Sequence, residues 1–189
     1  MRNYRYIERY LNQLLDDVYP QPPDPGHQRA GEEIIHRWLS KLTGLKTIVD
    51  VGCGQGQFLK ALSKYGYVEG VTLGTDFDIA KSCSFNVYNK DFTFLEFDDK
   101  SVDLVFARHV IEHSPMPLLT LMEWARVSKQ WLLMIIPSLD IFGPGGQNHY
   151  YVLRNDQWRI LLDRAGWKPI WEDISKDPVA ETRWLCEKK

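Results

Sequence analysis

Ile48-Val49-Asp50-Val51-Gly52-Cys53-Gly54-Gln55-Gly56-Gln57-Phe58 is the stretch whose reading decides the architecture. A β-branched apolar run enters three glycines at alternate positions, and Phe58, Leu59 and Leu62 then follow at helical spacing. The pattern is a buried strand, a tight turn and a helix. Glycines let the turn be sharp and let a ligand come close to the main chain. The spacing is GxGxG, because Gln57 stands where the dinucleotide fingerprint has its third glycine. Asp50 precedes the loop, where a carboxylate repels a pyrophosphate and attracts an ammonium group. Both features disfavour a nicotinamide oxidoreductase.

Downstream, short apolar runs alternate with helical segments. Strands are expected at 46–51, Tyr67–Leu73, Asn86–Asn89, Val102–Ala107 and Gln130–Ile136. Helices are expected at Gln57–Tyr65, Asp78–Ser84, Met116–Val127 and Asn155–Ala165, the last stopped by Gly166. Such alternation means βαβ units and a parallel sheet covered on both faces. The last two strands, Pro169–Ile174 and Glu181–Glu187, have only Ser175–Pro178 between them, so they form an antiparallel hairpin at one edge. Upstream, apolar spacing of three to four predicts a helix over Tyr4–Val18. Four prolines then make an elbow over 19–26, and a second helix runs over His27–Leu42 with Gly44 at its C-cap. The division is a helical cap at 1–44 and a ligand-binding domain at 45–189.

A net charge of −2 carries no electrostatic footprint for nucleic acid. Cys53, Cys83 and Cys186 form no CxxC pair, which argues against a disulfide framework or a zinc site; no metal is expected, and a reducing cytoplasm fits. The longest wholly apolar run, Trp131–Ile136, is too short to cross a bilayer, and MRNYRYIERYLNQLL lacks the apolar stretch of a signal peptide. The seven tryptophans are scattered and read as core, not as a stacking surface for bases.

Three stretches together carry a family resemblance: VDVGCGQGQFL, NKDFTFLEFDDKSVDLVFARHVIEHS and GWKPIWED. They resemble the class I S-adenosylmethionine-dependent methyltransferases, from roughly Thr47 onward. The resemblance implies an α/β, Rossmann-like three-layer fold with a seven-stranded sheet in the order 3-2-1-4-5-7-6, strand 7 antiparallel. It implies S-adenosylmethionine as cofactor, with Gly52, Cys53 and Gly54 against its methionine part. Asp50 would support that loop and face the amino group. Asp91 and Phe92 would meet the adenine, and Arg108 and His109 would lie beside the cofactor. Where most of the family has a ribose-binding acid, this chain has Thr72. The "GVTL" ending there resembles the cyclopropane-fatty-acid synthase branch, and Asp76, four residues on, is the natural helper for the ribose.

The activity so implied is in-line methyl transfer to a small-molecule acceptor. Ala107-Arg108-His109-Val110 stands where nucleic-acid amino-methyltransferases carry an Asp/Asn-Pro-Pro-aromatic motif, which argues against base methylation. Histidines suit the role of base near neutral pH. His109 and His149 are the candidates for catalysis, whereas His113 is expected to order the loop before a helix. His149 stands in a glycine-rich loop, Pro137–Tyr151, expected over the active edge of the sheet. The competing class is a protein of this fold that binds the cofactor or a partner without turnover.

Overall fold

Thr47–Val51 forms β1, the middle of a seven-stranded sheet. The computed structural model describes residues 9, 12–16, 24–139, 148–176 and 180–189. The other strands are β2 (Tyr67–Thr72), β3 (Asn86–Asn89), β4 (Val102–Arg108), β5 (Ser128–Pro137), β6 (Trp167–Ser175) and β7 (Glu181–Lys188). Their order is β3-β2-β1-β4-β5-β7-β6. The pairs from β3 to β5 are parallel, and β7 runs antiparallel to both β5 and β6. This is the Rossmann-like methyltransferase order expected from the motifs. The order reverses between β1 and β4, which opens a crevice at the carboxyl ends of those strands.

The helices with both ends among the described residues are α1 (Pro25–Leu39), α2 (Leu59–Leu62), α3 (Gly74–Ala80), α4 (Pro117–Val127) and α5 (Asn155–Arg164). A single 3₁₀ turn, Ile111–His113, follows β4. Both faces of the sheet are covered, so β1 is apolar on both: Ile48 packs with Ile34, Ile35, Leu39, Leu59 and Leu62 of α1 and α2. Val49 and Val51 pack on the other side, in the core that holds Leu121 and Trp124 of α4 and Trp158 and Leu162 of α5. Trp124, Trp158, Trp167 and Trp184 are wholly buried. Trp124 Nε1–H donates to the Phe92 carbonyl at 2.8 Å, and Trp167 Nε1–H to that of Leu121 at 3.0 Å. All four rings bring core volume, as the scattered spacing predicted, and Trp124 and Trp167 do so with their polar ends satisfied.

Several boundaries differ from the sequence reading. The chain becomes helical at Pro25, inside the expected elbow. Proline is well suited to the first helical position, and Asp24 caps the free Gly26 and His27 N–H groups at 2.8 and 3.1 Å. The same helix stops at Leu39, short of Leu42, and Gly44 takes φ +80° in the connection that follows. α3 starts at Gly74 rather than Asp78, which brings Asp76 into its first turn, where a carboxylate is favoured by the helix dipole. α2 is shorter than the expected Gln57–Tyr65, with Gln57 and Phe58 still in the glycine turn. Of the helix expected over Tyr4–Val18, residues 9 and 12–16 are helical; its remainder, residues 19–23 of the elbow and 140–147 of the loop lie outside the described residues. Among the described residues no helix is long and apolar enough to cross a membrane.

A buried ionic cluster joins the end of β4 to the start of β7, across the intervening β5. Glu181 is wholly buried. Its Oε1 accepts from Arg108 Nη2 at 2.5 Å and from His109 Nε2 at 2.9 Å, and its Oε2 accepts from Arg183 Nε and Nη2 at 3.2 and 3.1 Å. Burial by itself would push the Glu181 carboxyl up. The His109 hydrogen bond and the charges of Arg108 and Arg183 outweigh it and hold the pKa at about 2. A carboxyl lowered on folding stabilises the fold above its unfolded pKa and loses that contribution as pH falls through the folded value. Wild type should therefore lose about 3 kcal/mol between pH 4.5 and 2 from this group. Glu181→Gln should cost about 3–5 kcal/mol at pH 7, because two buried guanidinium groups lose their counter-charge. Its acid limb should also be shallower than that of wild type. Urea denaturation followed across pH checks both statements, and parallel acid limbs would contradict the second.

Candidate functional site

The glycine loop turns beneath the crevice at the carboxyl ends of β1, β2 and β4. Gly52 N–H and Cys53 N–H both donate to the Val71 carbonyl, at 2.8 and 3.0 Å, which pins the loop to β2. Gly52 has φ +70°, and a Cβ there would stand 2.3 Å from Val110 Cγ2, so no other residue fits. Gly54 has φ +53°, and a Cβ on it would come within 3.7 Å of Asp76 Oδ2. The loop therefore forms the floor of a cavity of about 760 Å³. Cys53 lies on that floor, buried, with burial pushing its thiol up, which rules against a thiolate nucleophile.

Asp50, Thr72 and Asp76 all line the cavity. Asp50 is 2 % exposed, and its Oδ2 has no hydrogen-bond partner. Burial raises the Asp50 carboxyl well above its usual range, the condition of a carboxylate awaiting a cation. Thr72 ends β2. Asp76 reaches back to the loop, where its Oδ1 accepts from Gln55 Nε2 at 3.4 Å. Burial raises Asp76 against the opposing pull of that hydrogen bond. Phe92 and Lys90 line the same wall, whereas Asp91 between them does not. The Asp91 carboxylate is buried and accepts from the Thr93 N–H at 2.8 Å, closing the turn that presents Phe92.

Arg108 and His109 close the far side, at the end of β4. Arg108 lies with its guanidinium carbon 5.3 Å from the Phe58 ring centroid. His109 holds φ +56°, in the left-handed region that non-glycine residues rarely occupy. Desolvation lowers its pKa, against the pull of Glu181. A neutral ring beside an ionised carboxylate must donate from Nε2, and Nδ1 is then its acceptor. The His27 ring of α1 meets it edge-on at 5.3 Å between centroids.

At the other end stand Glu112, His113 and His149. His113 and His149 rings meet at 4.8 Å between centroids. His113, expected to order the loop before the next helix, instead ties the segment after β5, its Nδ1 lying 3.1 Å from the Asn148 carbonyl. Tyr150 and Tyr151 N–H groups donate to the Glu112 carbonyl at 2.8 and 3.2 Å, and this draws His149 to the cavity. Glu112 is 1 % exposed, both its carboxylate oxygens lack a hydrogen-bond partner, and burial pushes it up to about 8. The structure thus brings all the candidate residues except Asp91 into the lining of one cavity. It adds His27, Gln28, Lys90 and Glu112, which sequence reasoning missed. Glu112 alone had a visible signal, an acid directly after Val110-Ile111.

A family model described as "Methyltransferase domain" matches residues 49–133. The Malonyl-[acyl-carrier protein] O-methyltransferase 1 of Coxiella burnetii is 33 % identical over 112 residues, which are 56 % of this chain and 39 % of that protein. The chain thus spans about two fifths of that relative's length. A SAM dependent methyltransferase from Aquifex aeolicus superposes with a TM-score of 0.69 at 20 % identity, over 88 % of this chain and 94 % of that one. Magnesium protoporphyrin IX methyltransferase from Synechocystis PCC 6803, with bound SAM, superposes with a TM-score of 0.68 at 16 % identity, over 99 % and 93 %. At such identities the superpositions speak for the fold. Sheet order and superpositions show the Rossmann-like methyltransferase fold, and the methyltransferase-domain model matches the chain from the glycine loop to the middle of β5.

Proposed function

We propose that this protein transfers a methyl group from S-adenosylmethionine to a small-molecule acceptor. The observation that carries this reading is the buried Asp50 carboxyl, whose Oδ2 has no partner, beside a glycine floor where a side chain would fill the space. Those features fit the cofactor: a buried acid suits a cationic amino group, and Gly52–Gly54 suits close approach to the main chain. Thr72 and Asp76 would hold the ribose between them, and Phe92 would meet the adenine. Asp91 acts from behind, through the turn it closes. When bound, the cofactor supplies a methyl group already activated on a sulfonium.

The protein then has to align the acceptor, exclude water and receive a proton. His109 fits the last task. Glu181 fixes its tautomer from Nε2, so an acceptor O–H or N–H would give its proton to Nδ1, and the imidazolium so formed gains the Glu181 charge. His149, Asn148 and His27 line the opposite walls, where the acceptor would sit. Leu14 and His27 also line the cavity, which supports a role for residues 1–44 as its cap over the domain at 45–189. The name of the Coxiella burnetii relative favours an oxygen acceptor. A second reading, cofactor binding without turnover, is favoured by Thr72 in place of the ribose-binding acid.

Calorimetry should show S-adenosylmethionine binding and no binding of NAD. Release of S-adenosylhomocysteine on incubation with a pool of candidate acceptors separates an enzyme from a binding protein. Heat from NAD alone would refute the family's cofactor for this cleft.

Asp50→Asn should weaken S-adenosylmethionine binding by about 1.5–3 kcal/mol, the range for a hydrogen bond to a charged group. An unchanged dissociation constant would remove Asp50 from the site.

Thr72→Ala and Asp76→Ala should be non-additive in a double-mutant cycle on cofactor affinity, because two groups that share a ligand couple by about 0.5–3 kcal/mol. Strict additivity, with no effect of Asp76, would leave Asp76 as part of the α3 first turn only.

His109→Ala should reduce turnover by about 10²–10⁴-fold, the usual range for a general base, and should abolish the basic-limb pH profile on an acceptor that must lose a proton. Wild-type turnover in that variant would move the base elsewhere.

A further inference from the structure

The ionisable groups at the acceptor end of the cavity do more than the mechanism above requires. Glu112, His113 and His149 each offer one ligand-capable atom within 4.8 Å of the other two. They come from two separated segments, the 3₁₀ turn after β4 and residues 148–151. The segments are held together by the Tyr150 and Tyr151 N–H groups on the Glu112 carbonyl. Proximity of such residues is not enough to make a site, and two independent observations add to it.

The first is Glu112 itself. A carboxyl that is 1 % exposed normally has partners, and neither oxygen of Glu112 has one. The nearby guanidinium of Arg108 is engaged by Glu181. The second is the state of His113. Its Nδ1 lies 3.1 Å from the Asn148 carbonyl, which accepts only, so Nδ1 carries a proton. Metal-ligating histidines are commonly oriented in this way, the other ring nitrogen donating to a carbonyl or carboxylate.

We propose that Glu112, His113 and His149 bind one divalent first-row transition ion. Two imidazole nitrogens and one carboxylate oxygen favour Zn²⁺, Fe²⁺, Mn²⁺ or Co²⁺ over Ca²⁺ and Mg²⁺, whose preferred ligands are all oxygen. Ligand bonds of about 2.0–2.2 Å need the three atoms to draw in by roughly 1–2 Å, a movement within reach of side-chain rotation. Three protein ligands leave positions open, as in catalytic sites. The sequence expectation of no metal rested on cysteine spacing, and this ligand set contains no cysteine. Because the site lies in the same cavity as the glycine loop, its open positions would take an oxygen of the acceptor. That role rests on the methyl-transfer reading, whereas metal binding itself does not.

The test uses the full chain, treated with a chelator, desalted and titrated with CoCl₂ and ZnCl₂ in the absence of S-adenosylmethionine. Co²⁺ binding is read from its visible d–d absorption and Zn²⁺ binding from calorimetry. One equivalent should bind at micromolar or tighter affinity. Glu112→Gln, His113→Ala and His149→Ala should each weaken binding by at least about tenfold. His36→Ala, a histidine of α1 hydrogen-bonded to Tyr65, should leave it unchanged. Thermal melting checks that each variant folds. Should Glu112→Gln fail to fold, His149→Ala, whose side chain is only part-buried, decides the matter. No binding at millimolar metal would overturn the proposal. Binding that survives all three substitutions, or is lost instead on His27→Ala and His109→Ala, would overturn it as well. A metal that binds as expected in a protein without methyl transfer would overturn the methyl-transfer reading alone.

Discussion

The Glu181 carboxylate organises the cavity from behind. Three cationic or hydrogen-donating groups meet on it, two from the end of β4 and one from β7, and the carboxylate is wholly buried. An isolated charge in that position would be prohibitively costly, so the cluster holds together or fails as a unit. Its structural consequence is that β4 ends in a fixed way. Arg108 and His109 are drawn toward the sheet, His109 is held at a positive φ, and the chain then turns sharply through Ile111–His113. The position of His109 in the cavity and the placement of Glu112 directly after it both follow from that anchoring.

The cavity has two chemically distinct ends. Around the glycine loop the groups are carboxyls and small residues, with Asp50 and Asp76 both raised by burial. That end suits a cationic ligand with hydroxyls. The other end holds the imidazoles of His27, His109, His113 and His149 together with Glu112. Imidazoles can take up a proton, so this end suits an acceptor atom that must be deprotonated or held. A displacement reaction needs this division, with the activated group at one end and the nucleophile at the other, in line.

The helical residues before β1 contribute to both the core and the site. The apolar face of α1 packs with β1 and α2, while His27 and Gln28 of the same helix line the cavity. Burial of Ile34, Ile35 and Leu39, each worth about 1.5–3 kcal/mol, fixes the helix and thereby the height of His27 above the loop. The Asp24 cap ensures that the helix begins early enough for His27 to reach His109.

Much of this was legible in the chain itself. The alternation of strands and helices, the GxGxG turn after an apolar run and the helix-free final hairpin are local patterns, and each reports the local backbone directly. They sufficed for the layers and, with the family motifs, for the strand order. Asp50, Gly52, Gly54 and Thr72 were legible for the same reason, since each sits at a strand end or turn whose position is set by its neighbours. The remainder depended on pairings that no local pattern encodes. Glu181 lies 72 residues from His109 and meets it only because β7 inserts beside β5. His149 lies 36–37 residues beyond Glu112 and His113 and comes to them through backbone hydrogen bonds of Tyr150 and Tyr151. Asp91 stands behind the lining, closing the turn that presents Phe92; the sequence names that turn but not which side chain it presents. Local sequence thus determined the elements and the glycine floor, whereas tertiary packing decided which ionisable groups share the cavity, because their meeting is a property of the whole sheet.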